Sequence, residues 1–221
     1  MTFEEALGGK KAALIDMDGV LYDSLPRHCK AWRRAMLEEG LDIPEEEFFL
    51  YEGMTGAATI NLLMEREKGH TLSDEECRAI YMRKAAYFQE MGEAGPMPGA
   101  SRMIDILHKA GLTTVLVTGS AQGSLLDRLD IDYPGAFPKE RRVTALDVKN
   151  GKPHPEPYLR GLEKAGVNPR EAVVIENAPL GVKAGKGAGV FSRAWMTGPI
   201  PPESFLTEGA DLLLQRDHFI R

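Results

Sequence analysis

The chain has 221 residues, of which 43% are hydrophobic and 27% are charged, and its formal net charge is −6. This composition is typical of a folded globular protein, and the length fits one large domain or a core with a smaller insert. An acidic chain without a basic patch argues against nucleic acid as a partner. No apolar run is long enough to cross a bilayer. An acidic start without the features of a signal peptide, and only two cysteines, predict a cytoplasmic protein without a disulfide framework.

Apolar runs alternate with helical patterns along much of the chain. Strands are predicted at residues 12–16, 114–118, 142–145, 172–176, 189–191 and 210–214. Between the later strands, helices are predicted at residues 99–110, 122–129, 155–165 and 179–187. This alternation is typical of the α/β class with a doubly wound parallel sheet.

The stretch from residue 25 to residue 95 interrupts this rhythm. It is helical throughout, with helices predicted at 28–39, 44–51, 56–68 and 73–91, and it ends in a segment rich in Pro and Gly. We therefore predict an α/β core of residues 1–24 and 96–221 and an inserted all-helical cap domain of residues 25–95. Because the insert begins within ten residues of the first strand, we expect it to close over the end of that strand. The alternative is a helical subdomain that only packs against the core.

Two carboxylates, Asp16 and Asp18, follow the first predicted strand, and Gly19 allows a sharp turn after them. The carboxyl ends of strands are where open α/β sheets place their sites. In such a pair one carboxylate can attack phosphorus as a nucleophile, and the other can transfer protons. A Ca²⁺ loop is the alternative, but an EF-hand needs a preceding helix and a glycine at loop position 6.

Three further stretches complete a pattern of four ordered motifs. They are T-G-S after the second strand, G-K-P-H-P-E-P-Y before a predicted helix, and V-I-E-N at the fourth strand. Together with D-M-D-G-V-L-Y-D-S they resemble the haloacid dehalogenase (HAD) superfamily, in the form found in its β-phosphoglucomutase-like branch. The resemblance covers essentially the whole chain and implies an α/β Rossmann-like core with a cap.

The resemblance implies a role for several of these residues. Asp16 is implied to be the nucleophile and Asp18 the general acid and base. Thr118 is implied to bind the transferring phosphoryl group, with the backbone of Gly119 beside it. Lys152 is implied to offset the charge repulsion between the nucleophile and the phosphate. Without the resemblance, Lys152 would be taken for a surface lysine in a turn.

The resemblance also implies Mg²⁺ as the cofactor. Asp16, the backbone carbonyl of Asp18 and Asn177 would hold it, with Glu176 nearby, because Mg²⁺ prefers oxygen ligands and keeps several waters. The family usually has an Asp where this chain has Asn177, so one negative charge is missing. A non-catalytic protein that binds phosphorylated metabolites therefore stays an alternative.

The substrate is predicted from the cap. The mutases of this branch resemble the chain at His28, but they have a cap arginine in a G-x-[ST]-R context, where this chain has Gly56. They also have a lysine just after the second motif, where Ser120 is followed by Ala and Gln. A sugar bisphosphate would therefore lack two of its expected anchors.

The segment around Glu52 instead resembles HAD-type inorganic pyrophosphatases, which implies that Glu52 reaches from the cap to the metal-bound site. We therefore predict Mg²⁺-dependent hydrolysis of inorganic pyrophosphate through an aspartyl phosphate. The alternative is a mutase or phosphatase acting on small sugar phosphates. We expect specificity to depend on Glu52, Gly119, Ser120 and His28, and we expect a monomer or a weak oligomer.

Overall fold

The core of the protein is one parallel sheet of six strands in the order β3-β2-β1-β4-β5-β6. A computed structural model describes residues 2–120 and 123–220. The strands are β1 (Ala12–Ile15), β2 (Thr113–Val117), β3 (Arg142–Val143), β4 (Ala172–Glu176), β5 (Phe191–Trp195) and β6 (Leu212–Leu214). The strand order reverses between β1 and β4, and the crevice at such a point is where α/β sheets bind ligands.

Helices cover both faces of this sheet. The core helices are α4 (Ala100–Lys109), α5 (Gly123–Asp132), α6 (Glu156–Ala165), α7 (Pro179–Gly187) and α8 (Pro202–Thr207). Alternate residues of β1 enter different apolar clusters, with Ala13 and Ile15 on one face and Ala12 and Leu14 on the other. A strand buried on both faces reads as a continuous apolar run, which is why the sequence shows β1 so clearly. The predicted doubly wound α/β class is confirmed.

The inserted segment forms helices only. Its α-helices are α1 (Leu25–Glu38), α2 (Gly56–Lys68) and α3 (Asp74–Glu90), and a 3₁₀ helix spans Glu45–Tyr51. They pack around an apolar cluster of their own, which includes Trp32, Phe48 and Ile80. The capping box of Ser73 and Glu76 is present at the start of α3. The all-helical cap is thus confirmed, while its boundaries at residues 25 and 95 stay a prediction.

The prediction was wrong for the fifth strand, which begins at Phe191, two residues later than expected, and runs to Trp195. Ser192 and Arg193 interrupt the apolar run there. Both are fully buried in the structure, and the Arg193 guanidinium lies 4.5 Å from the centre of the Phe3 ring. An aromatic ring from the start of the chain thus allows a cation to occupy an interior strand position.

Smaller differences concern the helices. Helix α8 was not predicted, and the segment expected as a helix at residues 44–51 is a 3₁₀ helix. The helix predicted to begin at Gln122 is found as α5, and Gln122 itself lies outside the described residues. No helix in residues 2–120 or 123–220 combines the length and apolar character needed to cross a membrane.

Candidate active site

Polar residues from three adjacent strands meet at the carboxyl edge of the sheet. Asp16 follows β1, Thr118 follows β2, and Glu176 is the last residue of β4. The side chains of all three are buried, because each lies at or directly after the end of a buried apolar strand. Because neighbouring parallel strands end at the same edge, the sequence pattern alone predicts this convergence.

Lys152 connects two of these strand ends. Its ammonium donates to Asp16 Oδ1 at 2.6 Å, to Glu176 Oε1 at 2.5 Å and to the Val117 carbonyl at 3.1 Å, and only 1% of its side chain is exposed. Burial alone would lower the pKa of Lys152, but the charges of the two carboxylates outweigh burial and raise the pKa above its usual range. Lys152 is therefore a permanent cation beside Asp16.

Glu176 is held from every side by protein donors. Its Oε1 accepts from the Tyr158 hydroxyl at 2.7 Å as well as from Lys152, and its Oε2 accepts from the backbone N–H groups of Asn177 at 3.0 Å and Ala178 at 3.2 Å. A side chain at Gly181 would lie 1.9 Å from Oε1, so glycine is needed there. These contacts hold Glu176 and Lys152 together, while the expected place of Glu176 near a metal stays a prediction.

The site carries more negative than positive charge. Burial raises the pKa of Asp16 to about 8, the nearby charges of Glu176 and Asp18 add to the shift, and Lys152 opposes it. The single ammonium of Lys152 thus faces three buried carboxylates, those of Asp16, Glu176 and Asp18. A further cation at this position would stabilise the ionised form of Asp16.

Asn177 provides an atom to bind such a cation. Its side-chain Oδ1 and Nδ2 are both buried, and neither has a hydrogen-bond partner within the part of the chain that the structure describes. The amide lies so close to Gly19 that a side chain there would approach Nδ2 to 2.1 Å. An unpartnered buried amide oxygen, directly after the strand end that is next to the end of β1, fits a hard divalent cation.

No three His, Cys, Asp or Glu side chains of the described residues form a metal cluster. The donor set here would instead be mixed, with the Asp16 carboxylate, the Asp18 backbone carbonyl, the Asn177 amide oxygen and water. Such oxygen-only sets with few protein ligands suit Mg²⁺.

Asp18 is held by a chain of hydrogen bonds that crosses from the core into the cap. Its Oδ1 accepts from the Ser24 hydroxyl at 2.6 Å and lies 2.9 Å from His28 Nε2, while the Lys84 ammonium lies 2.6 Å from His28 Nδ1. An ammonium can only donate, so Nδ1 is the acceptor and Nε2 carries the proton given to Asp18.

These contacts set the charges along the chain. Burial would raise the pKa of Asp18, but His28, Ser24 and Lys84 outweigh burial and lower it. Burial and the charge of Lys84 lower the pKa of His28 more than Asp18 raises it. Asp18 is therefore held as a carboxylate by a neutral histidine.

Lys84 is a site residue that the sequence analysis missed. It is buried on α3 between Ile80 and Phe88, and its ammonium lies 5.1 Å from the centre of the Trp32 ring. Burial lowers its pKa to about 8, against the opposing charges of Glu52 and Asp18. Lys84 lies four residues after Ile80 and four residues before Phe88, which places it on the apolar face of the helix. This spacing is the sequence signal that would have identified it.

Core and cap form a small cavity between them. The centre of a water molecule can move within about 50 Å³ of it. Its lining includes the predicted residues Asp16, Asp18, His28, Glu52, Thr118, Gly119 and Ser120. The Thr118 hydroxyl accepts from the Ser120 N–H at 3.0 Å. The two positions after Ser120, where the mutases have a lysine, lie outside the described residues.

Glu52 lies directly after the 3₁₀ helix of the cap and is half-buried against the cavity. Burial raises its pKa to about 8, the charge of Asp18 adds to the shift, and Lys84 opposes it. The cap thus brings one carboxylate and one ammonium to the core carboxylates. The role that the resemblance implied for Glu52 at a metal-bound site stays a prediction.

A family model for haloacid dehalogenase-like hydrolases matches residues 10–189. The chain belongs to this family. The predicted superfamily is thereby confirmed, and with it the enzyme class of hydrolases.

Relatives within the family act on phosphorylated carbohydrates, according to their names. Hexitol phosphatase A of Escherichia coli K12 is 34% identical over 179 residues, which are 81% of this chain and 80% of that protein. The phosphorylated carbohydrates phosphatase of Thermotoga maritima is 30% identical over 181 residues, which are 81% of this chain and 82% of that protein.

A solved structure from Bacteroides vulgatus, provisionally named a β-phosphoglucomutase, is 46% identical with a TM-score of 0.89. The match spans 96% of this chain and 90% of that chain. The β-phosphoglucomutase-like branch is thus confirmed. All three names refer to sugars, sugar alcohols or other carbohydrates, and none of them refers to pyrophosphate, so the narrower expectation of a pyrophosphatase is not supported.

Proposed function

We propose that this HAD hydrolase removes the phosphoryl group of a small sugar phosphate through an aspartyl phosphate on Asp16. The observation that carries the proposal is the pairing of two differently held carboxylates in one cavity. Asp16 contacts a permanent cation, Lys152, and Asp18 is kept ionised by Ser24 and His28. Two such groups, two residues apart, suit a nucleophile and an acid–base catalyst.

The reaction has two displacements at phosphorus. In the first, a carboxylate oxygen of Asp16 bonds to phosphorus and the bond to the leaving oxygen breaks. Asp18 is a carboxylate in the free protein, takes up a proton when the negatively charged phosphate binds beside it, and gives that proton to the leaving oxygen. In the second, Asp18 takes a proton from water, the water oxygen attacks phosphorus, and the Asp16–phosphorus bond breaks to release phosphate. Lys152 and Thr118 hold the phosphoryl oxygens, so that catalysis is mostly positioning and charge neutralisation.

Mg²⁺ fits this site because the Asn177 amide oxygen is buried without a partner in the described chain and the carboxylates exceed the cations. Asp16, the Asp18 carbonyl and Asn177 would hold the ion, which would neutralise phosphoryl oxygens when bound.

The names of the relatives and the chemistry of the cap both support a sugar phosphate. Trp32 and Tyr81 line the cavity from the cap, and Lys84 is a hydrogen-bond donor beside them. Aromatic rings and polar donors together suit a polyhydroxylated leaving group.

Inorganic pyrophosphate is the second candidate, and Glu52 is the observation that favours it. A carboxylate at the cavity would repel the phosphate oxygens of an uncomplexed ligand, but it could bind a metal–pyrophosphate complex through metal-bound water. The small volume of the cavity also suits a compact leaving group.

The experiment is a comparison of phosphate release with Mg²⁺ from hexitol phosphate, fructose 1-phosphate, β-glucose 1-phosphate with a bisphosphate activator, and pyrophosphate. A sugar or hexitol phosphate as the best substrate supports the proposal, and pyrophosphate as the best substrate replaces it with the second candidate. Conversion of β-glucose 1-phosphate to its 6-phosphate without phosphate release would identify a mutase. Binding of phosphorylated sugars without turnover of any compound would contradict catalysis.

A further inference from the structure

The cap reaches the core through residues 52–55, and two glycines of the core lie directly against this segment. A methyl group on Gly119 would lie 2.9 Å from the Gly53 carbonyl oxygen and 3.6 Å from that of Met54. Both neighbours are backbone atoms, which cannot rotate away as a side chain can. The space at Gly119 is therefore just sufficient for a hydrogen atom while the cap is closed.

The second contact is at Gly151, next to Lys152. A methyl group there would lie 2.5 Å from Thr55 Cγ2 and 3.2 Å from the Thr55 backbone nitrogen. Thr55 is the N-cap of α2, and its hydroxyl accepts from the Ala58 N–H at 3.3 Å. Rotation of the Thr55 side chain away from Gly151 would break this cap, so the side chain is fixed where it meets the core.

We propose that Gly119 and Gly151 are positioning residues whose lack of a side chain lets the cap close far enough to place Glu52 at the cavity. A single methyl group at either position holds the cap away from the core. Glu52 directly precedes residues 53–55, which the two glycines contact, so this displacement withdraws Glu52 from Asp16 and Asp18, together with Lys84, which lines the same cavity from the cap.

The backbone conformation of both glycines makes alanine a suitable substitution for testing this proposal. Neither Gly119 nor Gly151 has a left-handed φ, so alanine fits the local conformation of both and adds no backbone strain. The close contacts described above are to cap residues. Alanine at these positions is therefore expected to leave the core folded and to act on cap closure.

The experiment compares Gly119→Ala and Gly151→Ala with the wild type and with Gly8→Ala. Gly8 is a matched control because its φ is not left-handed and the nearest neighbour of its methyl group would be at 3.5 Å. For each protein, the radius of gyration is measured by small-angle scattering with Mg²⁺ and inorganic phosphate. The melting temperature and the kcat on the best substrate of the wild type are measured in parallel.

We expect both cap-facing variants to melt within a few degrees of the wild type, with a larger radius of gyration and a kcat at least tenfold lower. Gly8→Ala should behave as the wild type. A wild-type radius of gyration in both cap-facing variants would overturn the proposal, even with kcat reduced, because the methyl group would then act in the cavity.

A rescue experiment strengthens the test at Gly151. Thr55→Ser removes the methyl group that alanine at position 151 would meet and keeps the capping hydroxyl. The double variant Gly151→Ala with Thr55→Ser should recover most of the kcat and the compact radius, whereas Thr55→Ser should not rescue Gly119→Ala. The proposal would be contradicted if Thr55→Ser did not restore the kcat of Gly151→Ala, or if it restored the kcat of Gly151→Ala and of Gly119→Ala equally. The scattering result does not depend on the proposed substrate, so failure of the proposed function would appear separately.

Discussion

Lys84 and Lys152 are both buried ammonium groups, but their neighbours shift their pKa values in opposite directions. Lys152 lies between two carboxylates, which raise its pKa although burial opposes them. Lys84 contacts a neutral imidazole, and burial lowers its pKa to about 8. The core cation is therefore fixed in charge, whereas the charge of the cap cation changes near neutral pH.

His28 should make the stability of the protein depend on pH. Its folded pKa is lowered, so as pH falls below about 6.5 the unfolded chain takes up a proton that the folded chain does not. The contribution of His28 to the free energy of unfolding therefore decreases on acidification in this window, whereas the raised pKa values of Asp16 and Glu52 contribute in the opposite direction. Urea denaturation between pH 7 and 5.5 should therefore show that the free energy of unfolding of the wild type falls relative to that of His28→Gln as the pH is lowered. Equal slopes would contradict the buried, neutral state of His28.

Glu52 distinguishes the two candidate substrates. If pyrophosphate is the substrate, Glu52→Ala should lower kcat/KM for it by about tenfold or more, a change of roughly 1.4 kcal/mol in transition-state free energy, and should affect a simple phosphate ester far less. The exposed Glu46, on the same segment of the cap, supplies the control Glu46→Ala. Equal losses for both substrates would exclude a specificity role for Glu52.

At the scale of the elements, the sequence predicts most accurately the strands that are buried on both faces. Strand β4 has the predicted bounds, because Ala172 to Ile175 form an unbroken apolar run that ends at Glu176. Strand β5 was misplaced because its interior includes Arg193, whose burial depends on contact with Phe3 at the other end of the chain. No local pattern contains that information.

The residues of the site likewise divide into those that local sequence predicts and those whose position depends on distant packing. Asp16, Thr118 and Glu176 could be predicted to converge because each marks the end of a parallel strand in one sheet. Lys84 could not, because its contact with His28 depends on how α3 packs against α1 in the cap. The contacts of Glu176 with Tyr158 and Lys152 likewise arise from packing of α6 and its preceding loop against the sheet.

Arg193 should destabilise β5 despite its contact with aromatic rings. All three guanidinium nitrogens are buried without a hydrogen-bond partner in the described chain, and burial lowers the pKa of Arg193 to about 10. A buried unpaired donor costs about 1–3 kcal/mol. Arg193→Met should therefore raise the melting temperature, by roughly 2–4 °C for each kcal/mol regained. Arg102→Met, at an exposed position of α4, is the control, and a lower melting temperature in Arg193→Met would contradict this view.

At the scale of the whole molecule, the cavity is complete only when cap and core are together. The core supplies Asp16, Asp18 and Thr118, while the cap supplies Glu52 and Lys84. The hydrogen bonds from Lys84 through His28 to Asp18 join the two parts. The packing of cap on core therefore sets the position and charge of Asp18, which we propose as the acid–base group.

Mg²⁺ should stabilise the whole fold because its donors come from separate segments that only folding brings together. At about 100 times its Kd, the ion would add about 2.7 kcal/mol to the free energy of unfolding. Calorimetry should show a rise in melting temperature with Mg²⁺, smaller in Asn177→Ala and larger in Asn177→Asp at the same concentration. An equal rise in all three proteins would place the ion elsewhere.

The most direct measurement is a search for the covalent intermediate on Asp16. The protein is mixed with Mg²⁺ and its best substrate, quenched in acid at a series of times, digested and analysed by mass spectrometry. We predict one phosphoryl group on the peptide that contains Asp16, and none in Asp16→Asn, whose turnover should fall by at least ~10³-fold. Continued turnover by a folded Asp16→Asn variant, with no adduct on the wild type at any time, would contradict the nucleophilic role of Asp16.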